Sequence, residues 1–181
     1  QAVDVDVNSV GTTKAVLGKR WADDNYDVQL ASILTDTDFT KETFDVVYSW
    51  GVLHHTGDMW LAIKNAAGYV ADDGHFVIAI YKKTPFCGFW KVEKKLYSAL
   101  PKILRLSLDW LYGLGQILGL LVKGRNPIAY IHDYREARGM RWMTDIKDWL
   151  GGHPYESATP EEIKDFVEPL GFALVRSENT R

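Results

Sequence analysis

Residues 44–58 read FDVVYSWGVLHHTGD, and what the two ends of this stretch can do decides the fold. Phe44, Val46, Val47 and Tyr48 form a short apolar, β-branched and aromatic run, which predicts a buried strand. Gly51 breaks the run. Thr56, Gly57 and Asp58 then supply turn chemistry and an N-cap for a helix that starts at Met59. In an open α/β sheet, ligands bind beyond the carboxyl ends of the strands, so Ser49, Trp50, Gly51, His54 and His55 are placed where a cofactor sits.

Downstream, Leu61, Ala62, Ala66, Ala67 and Val70 recur near the helical period and predict a helix over residues 58–70. Asp72, Asp73 and Gly74 read as a turn, and residues 75–81 as a second buried strand through Phe76, Val77, Ile78 and Ile80. Strand, helix, strand implies a right-handed parallel crossover. Upstream, residues 2–7 alternate apolar positions with Asp4 and Asp6, which puts both carboxylates on one strand face with Asp6 nearer the carboxyl end. An acid there can accept two hydrogen bonds from a ribose diol, so Asp6 is the better ligand candidate, against the plainer reading of a solvated strand-end acid. Ser9 is expected to cap a helix running through Arg20. Residues 26–30 read as another strand, whose end places Ser32 to hydrogen-bond an adenine edge and Ile33 to pack on its face, although a serine at a strand end more often serves its own turn. Residues 35–43 are acidic and turn-rich.

Residues 82–157 are aromatic, basic and helical in pattern, too long for a loop in an α/β unit, and are expected to form an inserted cap. Arg105, Asp109 and Gln116 interrupt the apolar run 103–122, which argues against a spanning helix, and Gly113, Gly115 and Gly119 lower its helix propensity. Residues 82–125 hold nine Lys/Arg against Glu93 and Asp109, a net +7, so the rest of a chain of net charge −3 carries −10. The expected occupant of that surface is a hydrophobic acceptor or a membrane face, against the plainer reading of a lid that buries its apolar stripe on the core with its lysines solvated, and nucleic acid is disfavoured because no RNA-binding signature accompanies the aromatics. Gly151, Gly152 and Pro154 shape a loop expected to bring Trp149, His153 and Tyr155 to the site, and Tyr81 and Trp142 join Trp149 and Tyr155 as candidate acceptor contacts. Thr159, Pro160 and Glu162 supply a cap, an N1 proline and an N3 glutamate for a helix ending near Gly171, before a last strand at 172–175.

At 181 residues, 46% hydrophobic and 25% charged, the chain has ordinary globular values, enough for one core with an appended subdomain. Its single cysteine, Cys87, excludes an internal disulfide and a Cys-rich metal site, and points to the cytoplasm. No signal-peptide pattern opens the sequence. His54, His55 and Asp58 could suggest zinc, but adjacent residues after a strand are expected to point apart and no His-x-x-x-His spacing is present, so no metal is expected.

Together, VDVN around Asp6, FDVVYSWGVLHH, the Asp-Asp-Gly turn and the terminal TPEEIKDFVEPLGFALV resemble the class I S-adenosylmethionine-dependent methyltransferases. The likeness covers residues 1–81 and 157–177, and the middle motif is its most specific part. It implies a Rossmann-like α/β fold, a mostly parallel sheet with flanking helices and a helical cap inserted after the fifth strand. The domain boundaries that follow are a core at 1–81, a cap at 82–157 and a return to the core at 158–181. It further implies S-adenosylmethionine as cofactor, with Asp6 on the ribose hydroxyls, Ser32 and Ile33 on the adenine, Ser49 and Trp50 along the methionine part, and His55 in the cofactor wall. His54, nearer the acceptor side, is the first candidate base. The family's first strand and glycine-rich loop should precede the Asp6 strand, lying centrally between it and the Phe44 strand, and its final strand should follow residue 181. The expectation is therefore a chain clipped at both ends that binds the cofactor weakly or not at all. The function implied is methyl transfer to a small-molecule or lipid-like acceptor. The alternatives are a noncatalytic binding or scaffold module of the same fold and a nicotinamide-dependent oxidoreductase.

Overall fold

The computed structural model describes residues 1–21, 25–35 and 43–178, so most of the acidic stretch expected at 35–43 lies outside the described residues. In chain order the elements are β1 (Ala2–Asp4), α1 (Val7–Leu17), β2 (Val28–Leu30), β3 (Phe44–Trp50), α2 (Met59–Ala67), β4 (Val70–Ala79), α3 (Cys87–Ala99), α4 (Lys102–Val122), α5 (Pro127–Arg138), α6 (Trp142–Gly151) and α7 (Pro160–Val167). They fall into two compact units, Gln1–Lys82 with Ala158–Arg181, and Lys83–Ser157.

In the first unit β1 pairs in parallel with β2, and β3 in parallel with β4. Among the described residues no ladder joins the two pairs. The core lies on one face of β3 and β4, where Val47, Phe76, Ile78 and Ile80 pack against Leu53, Met59, Ala62, Ile63, Ala66 and Ala158. Helix α2 buries Met59, Ala62, Ile63, Ala66 and Ala67, one stripe at i, i+3, i+4, i+7 and i+8. Leu61, expected in that stripe, is on the exposed side. Full burial of Met59 and Ile63 stabilises by about 1.5–3 kcal/mol each. The opposite face of β3 carries Val46, Tyr48 and Trp50 at 56, 63 and 53% exposure, so the expected buried strand is covered on one side only. A continuous apolar run hides a period-2 pattern from the sequence reader.

Several boundaries move. β1 ends at Asp4, and Asp6 rather than Ser9 caps α1, which stops at Leu17. The strand expected at 26–30 begins at Val28. Helix α2 ends at Ala67, and Asp72, Asp73 and Gly74 lie within β4, at the irregularity where the register shifts between Phe44 and Val46, instead of forming a turn. A side chain at Gly74 would lie 2.8 Å from Val70 Cγ1 and 3.0 Å from the Phe44 carbonyl oxygen, so close backbone approach requires glycine there. Helix α7 carries the expected capping box: Glu162 N–H donates to Thr159 Oγ1 at 3.1 Å, and Thr159 N–H donates to Glu162 Oε2 at 2.9 Å. The strand expected at 172–175 does not form, and Phe172 instead sets its ring 5.7 Å from that of Phe76.

The second unit is helical, with Tyr97, Tyr134, Trp142, Ile146 and Leu150 as its core. Polar pairs fasten it: Tyr97 donates to the buried Asp109 at 2.5 Å, Tyr134 to Asp145, and Trp142 Nε1 to Gln116 Oε1 at 2.7 Å. Asn126 caps α5 by accepting from the amides of Ile128 and Ala129. Among the described residues no helix is long and apolar enough to cross a membrane.

Candidate functional site

The backbone leaving β3 makes three turns in seven residues. Gly51 takes φ +74° while its N–H donates to the Ala79 carbonyl at 3.0 Å, a left-handed conformation that favours glycine. Residues Leu53–His55 then form one turn of 3-10 helix, closed by Thr56 Oγ1 donating to the Leu53 carbonyl at 2.8 Å. Gly57, at φ +92°, delivers Asp58, whose carboxylate accepts from Leu61 N–H at 3.1 Å and caps α2.

This path gathers three rings beyond the carboxyl ends of β3 and β4. The His54 ring lies 4.3 Å from that of His55 and 4.1 Å from that of Tyr81, and Tyr81 meets His55 edge-on at 5.2 Å. The two histidine rings thus meet at a 50° tilt instead of pointing apart, because they sit on a tight helical turn and not on extended chain. His54 is 1% exposed, and neither ring nitrogen makes a hydrogen bond of good geometry among the described residues. Burial holds its pKa down to about 4, the neighbouring His55 charge adds to the fall, and the Ala79 backbone opposes it. His54 is therefore neutral above pH 5. Among the described residues no group of three or more His, Cys, Asp or Glu is arranged to hold a metal ion.

Ser49 is half-buried in the ladder opposite Ile78, and Trp50 is exposed, its ring stacked parallel to Tyr48 at 6.0 Å. At the β1 end, Asp6 Oδ2 accepts from Ser9 N–H at 3.0 Å and Ser9 Oγ at 2.9 Å, and these bonds, the side-chain one foremost, hold its carboxyl below the usual range. Asp6 is thus engaged as a helix cap. Asp4, the last residue of β1 and also exposed, occupies the strand-end position expected of Asp6 and accepts from Asp6 N–H at 2.8 Å. The signal that distinguishes the two was present: an Asp just before a helical segment is cap chemistry. At the end of β2, Ser32 Oγ accepts from Leu34 N–H at 3.2 Å within its own turn, and Ile33 packs on the core while its carbonyl accepts from Asn65 Nδ2 at 2.7 Å. Asn65, which no sequence pattern singles out, ties that turn to α2.

The expected acceptor residues divide between the units. Tyr81 belongs to the ring cluster. Trp142 is in the core of the helical unit, Trp149 lies over the buried Lys94 ammonium at 4.3 Å, and Tyr155 is 5% exposed with its hydroxyl 3.5 Å from Cys87 Sγ.

A search of curated proteins finds no match. The family model for a methyltransferase domain matches residues 2–177, nearly the whole chain and both units. A match of that extent, over the strand ends and turns just described, shows that the chain belongs to the methyltransferase domain family.

Proposed function

We propose that the protein transfers a methyl group from S-adenosylmethionine to a small-molecule or lipid-like acceptor, with residues 83–157 serving as a helical cap over acceptor access. The observation that carries the reading is the tight turn from Gly51 to Asp58 at the carboxyl ends of a parallel strand pair, in a chain of the methyltransferase domain family. The residues present fit the cofactor in part. Asp4 and Asp6 offer exposed carboxylate oxygens for a ribose diol, the Ser32 turn ends a strand beside them, and Trp50 offers an exposed ring. Ile33 is committed to the core and is the weaker adenine contact. The cofactor, when bound, supplies an already activated methyl group on a sulfonium. The chain's own part is alignment and exclusion of water. His54, buried and with a pKa of about 4, is a poor proton acceptor at neutral pH, so it acts as a positioning residue behind His55 and Tyr81.

Calorimetry with S-adenosylhomocysteine on the full-length protein tests the reading. Asp4→Ala should weaken binding by about 1.5–3 kcal/mol, the range for hydrogen bonds to a charged group. Asp6→Asn keeps a capping side chain and should cost less. Unchanged affinity in a folded Asp4→Ala protein would return Asp4 to a solvated acid. Binding without transfer of labelled methyl to any lipid or small-molecule extract would identify a noncatalytic module.

A further inference from the structure

Helix α4 is built inside out for a protein surrounded by water. Among the described residues its inward side packs only Tyr112 and Ile117 as large apolar groups against the helical unit's core, beside Asp109 and Gly113, both buried, and Gln116; these last three are bonded to Tyr97, packed under Trp142 and bonded to Trp142 respectively. Its outward side carries Leu104, Leu111, Leu118 and Val122 at 48, 65, 53 and 88% exposure, with Trp110 at 64%. A helix on a solvated surface shows the reverse arrangement. Helix α3 extends the apolar surface through Phe89, Val92 and Leu96, and an apolar groove of about 760 Å³ runs between the two helices. Contiguous exposed apolar surface on this scale marks an interaction site.

Charge selects the occupant. Lys91, Lys95, Lys102, Lys123 and Arg125 are all exposed along the same helices and their ends, while Asp109, one of only two acids between residues 82 and 125, is buried against Tyr97. A second copy would bring two faces together that each carry these five exposed cations, which like-charge repulsion opposes. Nucleic acid would answer the charge and leave the aliphatic surface in water. An anionic lipid surface answers both, since acyl chains accept the leucines while headgroups meet the lysines. We propose that the α3–α4 face docks peripherally on an anionic membrane surface. The docking rests on the helical unit alone and stands apart from the methyl-transfer reading.

Vesicle co-sedimentation of the full-length protein, without cofactor or acceptor, tests it. Binding should be strong to phosphatidylcholine vesicles containing phosphatidylglycerol, weak to phosphatidylcholine alone, and reduced at about 1 M salt, where the screening length is about 3 Å. The triple variant Lys91→Gln/Lys95→Gln/Lys102→Gln changes only exposed side chains and should lower the partition coefficient about fivefold per charge, on the order of 100-fold together. Trp110→Ser with Leu111→Ser should abolish binding at every salt concentration, with the circular dichroism spectrum unchanged because both residues are exposed. In the parent protein, brominated lipid should quench Trp110 fluorescence. Failure of the folded protein to bind anionic vesicles overturns the proposal, as does binding that survives both variants. Concentration-dependent self-association that shields Trp110 would assign the face to a second copy instead and also overturn it.

Discussion

His54 combines three properties that rarely coincide in one residue: near-complete burial, two ring nitrogens without good hydrogen bonds, and a pKa of about 4. The unfolded chain takes up a proton on this ring below about pH 6.5, whereas the folded protein does so only below about 4. Its contribution to stability is thus fully present above pH 6.5 and is lost as pH falls towards 4, on the order of 3 kcal/mol. His54→Phe removes both the acid sensitivity and the buried polar nitrogens, so urea midpoints should match or exceed the parent at pH 7 and exceed it clearly at pH 4.5. An equal acid loss in the variant would place the sensitivity elsewhere. Cys87 differs in kind: burial pushes its thiol up, but hydrogen bonds from Ser157, Thr84 and Tyr155 outweigh it and bring the pKa down to about 7. Alkylation by iodoacetamide should therefore show a midpoint near pH 7, and Tyr155→Phe should move it upward. The His-His pair and its place after a strand were legible in the sequence. The burial of His54 was not, because it depends on a 3-10 turn that no periodicity announces.

Elements with strong local chemistry were the ones legible from sequence. Asp58 and the Thr159–Glu162 box were read correctly because a cap bonds only to its own first turn. In the stripe of α2, Ala62, Ala66 and Ala67 were read correctly, but Leu61 was taken in place of Met59 and Ile63 because apolar residues fill both sides of MWLAIKNAA, and only the sheet decides which side is buried. In α4 the three glycines were read as one weakness, yet they differ. A methyl group at Gly113 would lie 2.9 Å from Trp142 Cη2 and 3.3 Å from Ile146 Cδ1, whereas at Gly115 and Gly119 it would meet nothing within 4 Å. Gly→Ala in a helix interior favours the helix by about 0.8–1 kcal/mol, while overpacking a filled site costs about 1–3 kcal/mol. Gly115→Ala and Gly119→Ala should each raise the thermal midpoint. Gly113→Ala should lower it. The same sign for all three would mean that α4 does not rest on Trp142 as closely as described.

Across the whole chain the parallel strands and the interruption between β4 and α7 were readable from periodicity, since strand, helix and strand follow one another, although the turn expected at 72–74, before the second strand, lies inside it. The way the strands divide was harder to read, because which edges pair is set by backbone contacts far apart in sequence: β1 and β2 form one ladder, β3 and β4 another. The junction of the helical segment shows the same dependence. Lys82 and Ala158 are bridged in parallel, and Ala158 N–H donates to the Tyr81 carbonyl at 3.0 Å, so the chain leaves and re-enters the first unit at neighbouring points. Ala158 is itself 4% exposed in that unit's core. A segment whose ends lie so close can be exchanged for a short loop at small entropic cost. Replacing residues 83–157 with a short Gly-Ser linker should leave the first unit's core in place, with hydrogen-exchange protection of the α2 amides within about tenfold of the parent. Extending the deletion through Ala158 and Thr159 removes a core side chain and the α7 cap together, and should cost about 2–4 kcal/mol more. Loss of α2 protection in the shorter deletion would show that the α2 core depends on the helical segment for its stability, and that the two cores fold as one.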